Sequence, residues 1–297
     1  MTLCRPKVFF DTCVYFDAVK HSGGITVQDW RFVDQYVQNH YQVLVSWTTL
    51  KEPLCRLENC GDEYFPRNQD ALKLASRHGR GSGGFLEKPQ IFAIRSTLGI
   101  DVYPRLNREG RPSVSHQKWA EGVVDAVFRA TSKRELSSVV ELGPKTKMCG
   151  TFDLSDFAAH EEQARSEFVR LCEGWRAGQI DEPRAITVAA NLLSDSGVEP
   201  YTEICERLSL ALDAVNMAIE WFWNQSKVHN YNFERRKNNW DDIQQLYYLC
   251  DPSMIFVTLN TKDFPKWTKH SIQAAQVVSW REFVEKARRS VAANTTR

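Results

Sequence analysis

The sequence predicts a three-layer α/β domain with a central parallel sheet and a large, mostly helical insertion. Three observations carry that expectation. Short apolar runs near both chain ends alternate with helical spacing, the order of a parallel sheet crossed by helices. The middle of the chain carries long stretches of helical periodicity. Acidic residues follow several of the apolar runs, where an open parallel sheet forms its ligand crevice.

Lys7-Val8-Phe9-Phe10 reads as the first strand and ends at Asp11-Thr12. A second apolar stretch, Val14 to Val19, breaks at Gly23-Gly24. A helix is expected over 27–39, with Trp30, Val33 and Val37 on one face. Tyr41 to Val45 is the second strand, and Thr48 or Thr49 opens the next helix. Residues 60–118 are rich in turn and basic residues, and 79–84 reads as a flexible loop. Gly81-Ser82-Gly83-Gly84 lacks the spacing of a P-loop. The apolar runs at 91–94 and 100–103 fit either strand or helix. Helices are expected over 119–130, 154–175, 186–193 and 201–227. The last of these is apolar nearly all round, which predicts burial. A helix over 240–249 stops at Asp251-Pro252, strands follow at Met254–Thr258 and Gln276–Val278, and Ser279 caps a final helix from Trp280. Residues 1–58 and 230–297 thus form one core, and 59–229 a basic loop region and helical insertion packed on it.

Of 297 residues, 42% are hydrophobic and 25% charged, which excludes a disordered or fibrous chain. No apolar run reaches the roughly 18 residues of a membrane span, and the N-terminus lacks a signal-peptide layout. The expectation is a cytoplasmic protein with no membrane partner. A net charge of +1 excludes a polycation. The charge is uneven, however: 67–118 holds ten basic and four acidic residues, and 119–216 holds ten basic and seventeen acidic. That asymmetry fits either a solvated surface or a positive groove for phosphates. The eight cysteines form no CxxC pair and the seven histidines no HExxH, so a structural zinc site is not expected.

Acidic residues recur at one end of the expected sheet. Asp11 follows the first strand, Glu52 lies just past the second, Asp241 and Asp242 open a helix before a later strand, and Asp263 lies beyond Thr258 and Asn260. Each has an ordinary alternative. Asp11 fits a helix cap, and Glu52 fits a capping box with Thr49. Asp241 and Asp242 suit a helix dipole, and Asp263 suits a loop. Together they describe a carboxylate cluster that needs cations to stay ionised, and oxygen-only ligands suit Mg²⁺ or Mn²⁺.

The stretch Val8-Phe9-Phe10-Asp11-Thr12-Cys13-Val14-Tyr15 resembles the opening of PIN-domain nucleases. Val43-Leu44-Val45-Ser46 with Leu50-Lys51-Glu52-Pro53-Leu54 looks like their second strand and second acid. Trp240-Asp241-Asp242-Ile243 resembles the third acid and its helix, and Phe256 to Phe264 the following strand and acidic loop. Val277 to Phe283 is similar to the last strand and helix. The resemblance spans 1–58 and 238–290 and stops short of the middle. Where the family usually has an Asp two residues after the strand's Thr, this chain has Asn260, so Asp263 would have to serve from a shifted position.

The resemblance implies a metal-dependent endoribonuclease using Mg²⁺ or Mn²⁺. Asp11, Glu52 and Asp241 would bind the metal, with Asp242 or Asp263 assisting through water or a second ion. Thr12, Thr258 and Asn260 would orient carboxylates or a phosphate. Lys73, Arg77, Arg80, Arg105, Arg108 and Arg111 would contact an RNA strand. Two other readings stay open: a PIN-like scaffold that binds RNA or a protein partner through the helical insertion, and a nuclease directed at single-stranded or structured DNA. A haloacid-dehalogenase phosphatase would need an Asp where Cys13 stands, and a Rossmann oxidoreductase would need GxGxxG.

Overall fold

The structure is a computed structural model that describes residues 5–80, 84–102, 116–136, 140–142 and 150–295. Arg105, Arg108, Arg111 and the glycine-rich 81–83 lie outside the described residues. The chain begins with β1 (Lys7–Phe10), α1 (Thr12–Lys20), α2 (Val27–His40), β2 (Gln42–Val45), α3 (Trp47–Asn59), α4 (Phe65–Arg80) and β3 (Gly84–Phe85). The middle comprises α5 (Pro89–Leu98), α6 (His116–Arg129), α7 (Lys133–Leu136), a hairpin of β4 (Val140–Leu142) and β5 (Gly150–Phe152), α8 (Leu154–Arg176), α9 (Ala185–Asp195), α10 (Thr202–Ala211) and α11 (Asp213–Ser226). It closes with α12 (Asn239–Leu246), β6 (Met254–Thr258), α13 (Asp263–Thr268), β7 (Val277–Ser279) and α14 (Trp280–Thr295).

The main sheet is parallel throughout and ordered β3-β2-β1-β6-β7, which puts β1 at its centre. Register pairs Phe9 with Leu44 on one side and Phe256 on the other. Val8, Phe9 and Phe10 point alternately to opposite faces, yet none is more than 1% exposed. Both faces are therefore covered, as all-parallel sheets require. Phe10 packs edge-on against Tyr15, Trp30 and Phe283, and Phe9 stacks on Phe256.

Helix starts follow local chemistry. Thr26 caps α2 by accepting from the Asp29 amide at 3.0 Å. Ser279 and Glu282 form a reciprocal capping box at the start of α14. α3 opens two residues earlier than expected, because Ser46 accepts from the Thr49 amide at 3.1 Å. Glu52 consequently lies in the second turn, away from any capping box, and Pro53 is inside the helix.

The middle of the chain also departs from expectation. Residues 65–80 form a helix, and Gly84–Phe85 pairs with β2, so the sheet draws its edge strand from a stretch expected to lie outside it. Residues 91–94 are helical within α5. The single helix expected over 201–227 breaks at Leu212 into α10 and α11, and Leu210 is 66% exposed. Among the described residues no helix is long and apolar enough to cross a membrane.

Candidate functional site

The carboxyl ends of β1 and β6 bring the site together. Asp11 extends the β1 ladder by one bond, its amide donating to the Val257 carbonyl at 2.9 Å. It stands at the N-cap of α1 but makes no side-chain capping bond. Its carboxylate is instead held from three sides. Gln245 donates to Oδ1 at 2.9 Å, and Thr258 and Cys13 donate to Oδ2 at 2.6 and 2.9 Å. Gln245 is itself fixed by the Ser46 hydroxyl at 3.1 Å. The side chain is 5% exposed, so this framework fixes its direction. The same bonds fasten β1, β6, α3 and α12 at one point. Burial, reinforced by the Asp11 carboxylate, pushes the Cys13 thiol well above the usual range, so Cys13 serves as a donor and not as a thiolate nucleophile.

Three further carboxylates join Asp11. Glu52 is partly buried on α3, and burial together with Asp241 and Asp11 pushes its pKa up to about 7. Thr12 and Arg56 pull the other way. Asp242 is pushed well above the carboxylate range by burial, then by Asp11, Glu52, Asp241 and Asp263. Asp263 is positioned by Asn260, whose side-chain oxygen accepts from the Asp263 amide at 3.0 Å and whose amide nitrogen donates to Asp263 Oδ2 at 3.2 Å. The Asn260 amide in turn donates to Thr258 Oγ1 at 2.9 Å. Thr258 thus links the Asp11 carboxylate to the Asp263 loop, and Asn260 acts as a turn former.

Asp241 behaves differently from its neighbour. It is 1% exposed, with Lys51 Nζ at 2.7 Å from Oδ1 and Arg165 donating from Nε to Oδ2 at 2.8 Å. Lys51 is fully buried and also reaches Glu161 at 2.7 Å and Gln244 at 2.8 Å. Burial alone would favour its neutral amine, but Asp241 and Glu161 outweigh that and hold its pKa above the usual lysine value. Both Asp241 oxygens therefore face protein cations. Asp241, expected as a metal ligand, is thus held by protein cations, while Asp242, expected as an assistant, is pushed up by its carboxylate neighbours. The cause is helix phase: consecutive residues on α12 point about 100° apart, and the two cations meet only the first.

Among the described residues, Lys73, Arg77 and Arg80 interact with groups of their own region of the fold. Arg80 pairs with Asp125, approaches the Glu121 carbonyl at 3.4 Å and lies over the Phe128 ring. Arg77 acts on Asp34 of α2, and Lys73 donates to Gln69 at 2.8 Å. The Arg80 contacts tie α4 to α6, and the Lys73 bond lies within α4. A cleft of about 550 Å³ does open beside the site, lined by Gly23, Gly24, Thr258, Thr261, Arg281 and Arg288 among others.

The oxygen-only donor set of Asp11, Glu52, Asp242 and Asp263 suits a hard divalent cation in chemistry and charge. Among the described residues, however, no group of three or more His, Cys, Asp or Glu side chains is arranged to hold a metal ion. Gln245, Lys51 and Arg165 were not expected at the site. Gln245 had a signal: it is a polar residue on the apolar side of α12, three positions beyond Asp242. Arg165 had none, since its role follows from the docking of α8. No protein-family model, curated protein or solved structure matches the chain.

Proposed function

We propose that this chain is a PIN-like, metal-dependent phosphodiesterase that hydrolyses RNA. One observation supports the reading: at the carboxyl end of the parallel sheet Asp241 and Asp11 raise the pKa of Glu52, and Asp11, Glu52, Asp241 and Asp263 raise that of Asp242, a repulsion that a cation would relieve. Asp11, Glu52 and Asp242 would hold Mg²⁺ or Mn²⁺, with Asp263 beside them. When bound, such an ion supplies an acidified water and stabilises charge on a phosphodiester in displacement. The chain's own part is orientation. Thr258 and Gln245 keep Asp11 directed at the cluster, and Asn260 sets Asp263. The neighbouring cleft, with Arg281 and Arg288 at its wall, is wide enough for one nucleotide of a single strand.

A second reading, a PIN-like scaffold without cleavage activity, is favoured by the saturation of Asp241 and by donors not gathered for an ion. The test is wild type against Asp11→Asn on labelled single-stranded RNA, structured RNA and single-stranded DNA, with Mn²⁺ or EDTA. The enzyme reading expects Mn²⁺-dependent cleavage of RNA that falls at least about 100-fold in Asp11→Asn, since the ion contributes several kcal/mol. Equal cleavage by both proteins, or none with Mn²⁺, refutes it. Faster cleavage of DNA than RNA would move the substrate class to DNA.

A further inference from the structure

Arg80, Arg281 and Arg288 each pair with a carboxylate, of Asp125, Glu285 and Asp29 respectively. Lys262, Lys266 and Lys269 do not. Each is exposed, and none forms an ion pair with a described residue. Arg235 and Arg236, in the segment joining α11 to α12, are exposed and unpaired in the same way. The lysines follow one side of α13, since steps of four and three residues return to the same helical face. At about 1.5 Å per residue the row is about 10 Å long. It starts at the candidate site: Lys262 directly precedes Asp263, and Thr261 before it lines the cleft beside the carboxylates.

The row meets aromatic rings. Lys266 Nζ lies 4.0 Å from the centre of the Trp221 ring on α11. Tyr231 stands edge-on to Trp221, with ring centres 5.8 Å apart. Both residues are partly exposed, and both are braced. Trp221 packs against buried Trp267 at 6.1 Å, and the Tyr231 carbonyl accepts from Arg176 Nη2 at 2.6 Å. Burial pushes the Tyr231 hydroxyl above its usual range, Arg236 opposes this and Asp263 adds to it, so Tyr231 lies within reach of both the cations and the carboxylate site. Of the acids nearby, Glu234 pairs with Lys237 at 3.0 Å, and Glu220 is exposed one position before Trp221. A row of unpaired ammonium groups attracts a row of anions, and aromatic rings beside it stack flat unsaturated groups. A single nucleic-acid strand offers both in alternation. An acidic protein segment offers the charge alone, and a duplex keeps its base faces stacked inside.

We propose that α13 and the part of α11 packed against it form a track for single-stranded RNA that leads to the carboxylates. Phosphates lie along Lys262, Lys266 and Lys269, and bases stack on Trp221 and Tyr231. Lys266 moves from the Trp221 ring to a phosphate as a base takes its place. The track rests on RNA being the ligand of the proposed function, and not on cleavage.

The probe is fluorescein-labelled oligouridine of about twelve nucleotides, its binding to the full chain read by anisotropy in EDTA at about 50–200 mM salt. Lys262→Gln/Lys266→Gln/Lys269→Gln should bind about tenfold or more weakly at the lowest salt. Its slope of log affinity against log salt should be shallower by about 2, from roughly 0.7 per phosphate contact on a single strand. Those side chains are exposed, so the variant tests the track without threatening the fold. Trp221→Leu should bind about fivefold or more weakly with the slope unchanged, and Trp221→Phe should recover most of that loss. A wild-type measurement accompanies them: photocrosslinks from 5-iodouridine in the strand should map to Trp221 or Tyr231. Equal affinity and equal salt slope for wild type and the lysine variant overturn the proposal, as do crosslinks confined to other segments. Tighter binding of duplex RNA or of single-stranded DNA of the same length overturns it too, and so does competition by poly-glutamate as strong as that by oligouridine. Each of these results leaves the carboxylate nuclease reading standing, whereas no RNA binding by wild type ends both.

Discussion

Glu52→Gln should stabilise this protein, and only above a definite pH. The Glu52 pKa rises from 4.5 to about 7 in the fold, through burial and then through Asp241 and Asp11. A carboxyl with a raised pKa binds its proton more tightly in the folded state. Its contribution is therefore most favourable below about pH 4.5 and declines as pH rises toward 7. At about 1.4 kcal/mol per pH unit over 2.5 units, the penalty at pH 8 is about 3.5 kcal/mol. Glutamine keeps the shape and an acceptor for Thr12 but has no proton to lose. In EDTA, Glu52→Gln should melt roughly 7–14 °C above wild type at pH 8, from about 2–4 °C per kcal/mol for a large domain. The difference should shrink toward zero near pH 5. The assay is a series of thermal unfolding curves by circular dichroism from pH 5 to 8. The same difference at both ends of the range, or a variant less stable than wild type at pH 8, would refute the electrostatic argument.

Lys51→Met should cost about 3–5 kcal/mol in urea unfolding, because it leaves Asp241 and Glu161 without their shared cation. Lys51→Met with Asp241→Leu should recover part of that loss, and no recovery would argue against a direct pair. Thr258→Val removes the 2.6 Å donor to Asp11 and should destabilise by about 1.5–3 kcal/mol. Under the nuclease reading it should also cut cleavage about tenfold or more while RNA affinity holds, and filter binding beside a cleavage time course separates the two. Arg77→Ala/Arg80→Ala should change RNA affinity by less than about threefold between 50 and 200 mM salt; a flatter salt dependence would show that these side chains contact phosphate after all.

The three inner strands, β1, β2 and β6, were legible because they are short, mostly buried apolar runs. Val8-Phe9-Phe10 and Phe256-Val257 have no polar alternation, which suits strands covered on both faces. β3 was not legible, since two residues beside three glycines carry no period to read. Leu212 hid the break between α10 and α11, because its apolar character continued the pattern across the junction. Of the acids picked out in the sequence, Asp241 and Asp11 raise the pKa of Glu52, and Asp11, Glu52, Asp241 and Asp263 raise that of Asp242. Sequence could not separate Asp241 from Asp242. That choice depends on Lys51 from α3 and Arg165 from α8, which reach α12 only once the helical region has docked. Nor could charge counts show that Arg80 is spent on Asp125.

The order of strands also has a consequence for synthesis. β1 leaves the ribosome well before one of its two partners, β6, which begins at Met254. At about 5–20 residues per second, roughly 12–50 seconds separate the two. Throughout that interval Val8, Phe9 and Phe10 have an unpaired edge and an incomplete cover, the condition that invites pairing between nascent chains. A transcript broken before the Met254 codon would therefore yield a sticky fragment and not a smaller folded protein. The emerging β1–β2 unit is where a chaperone would have most to protect.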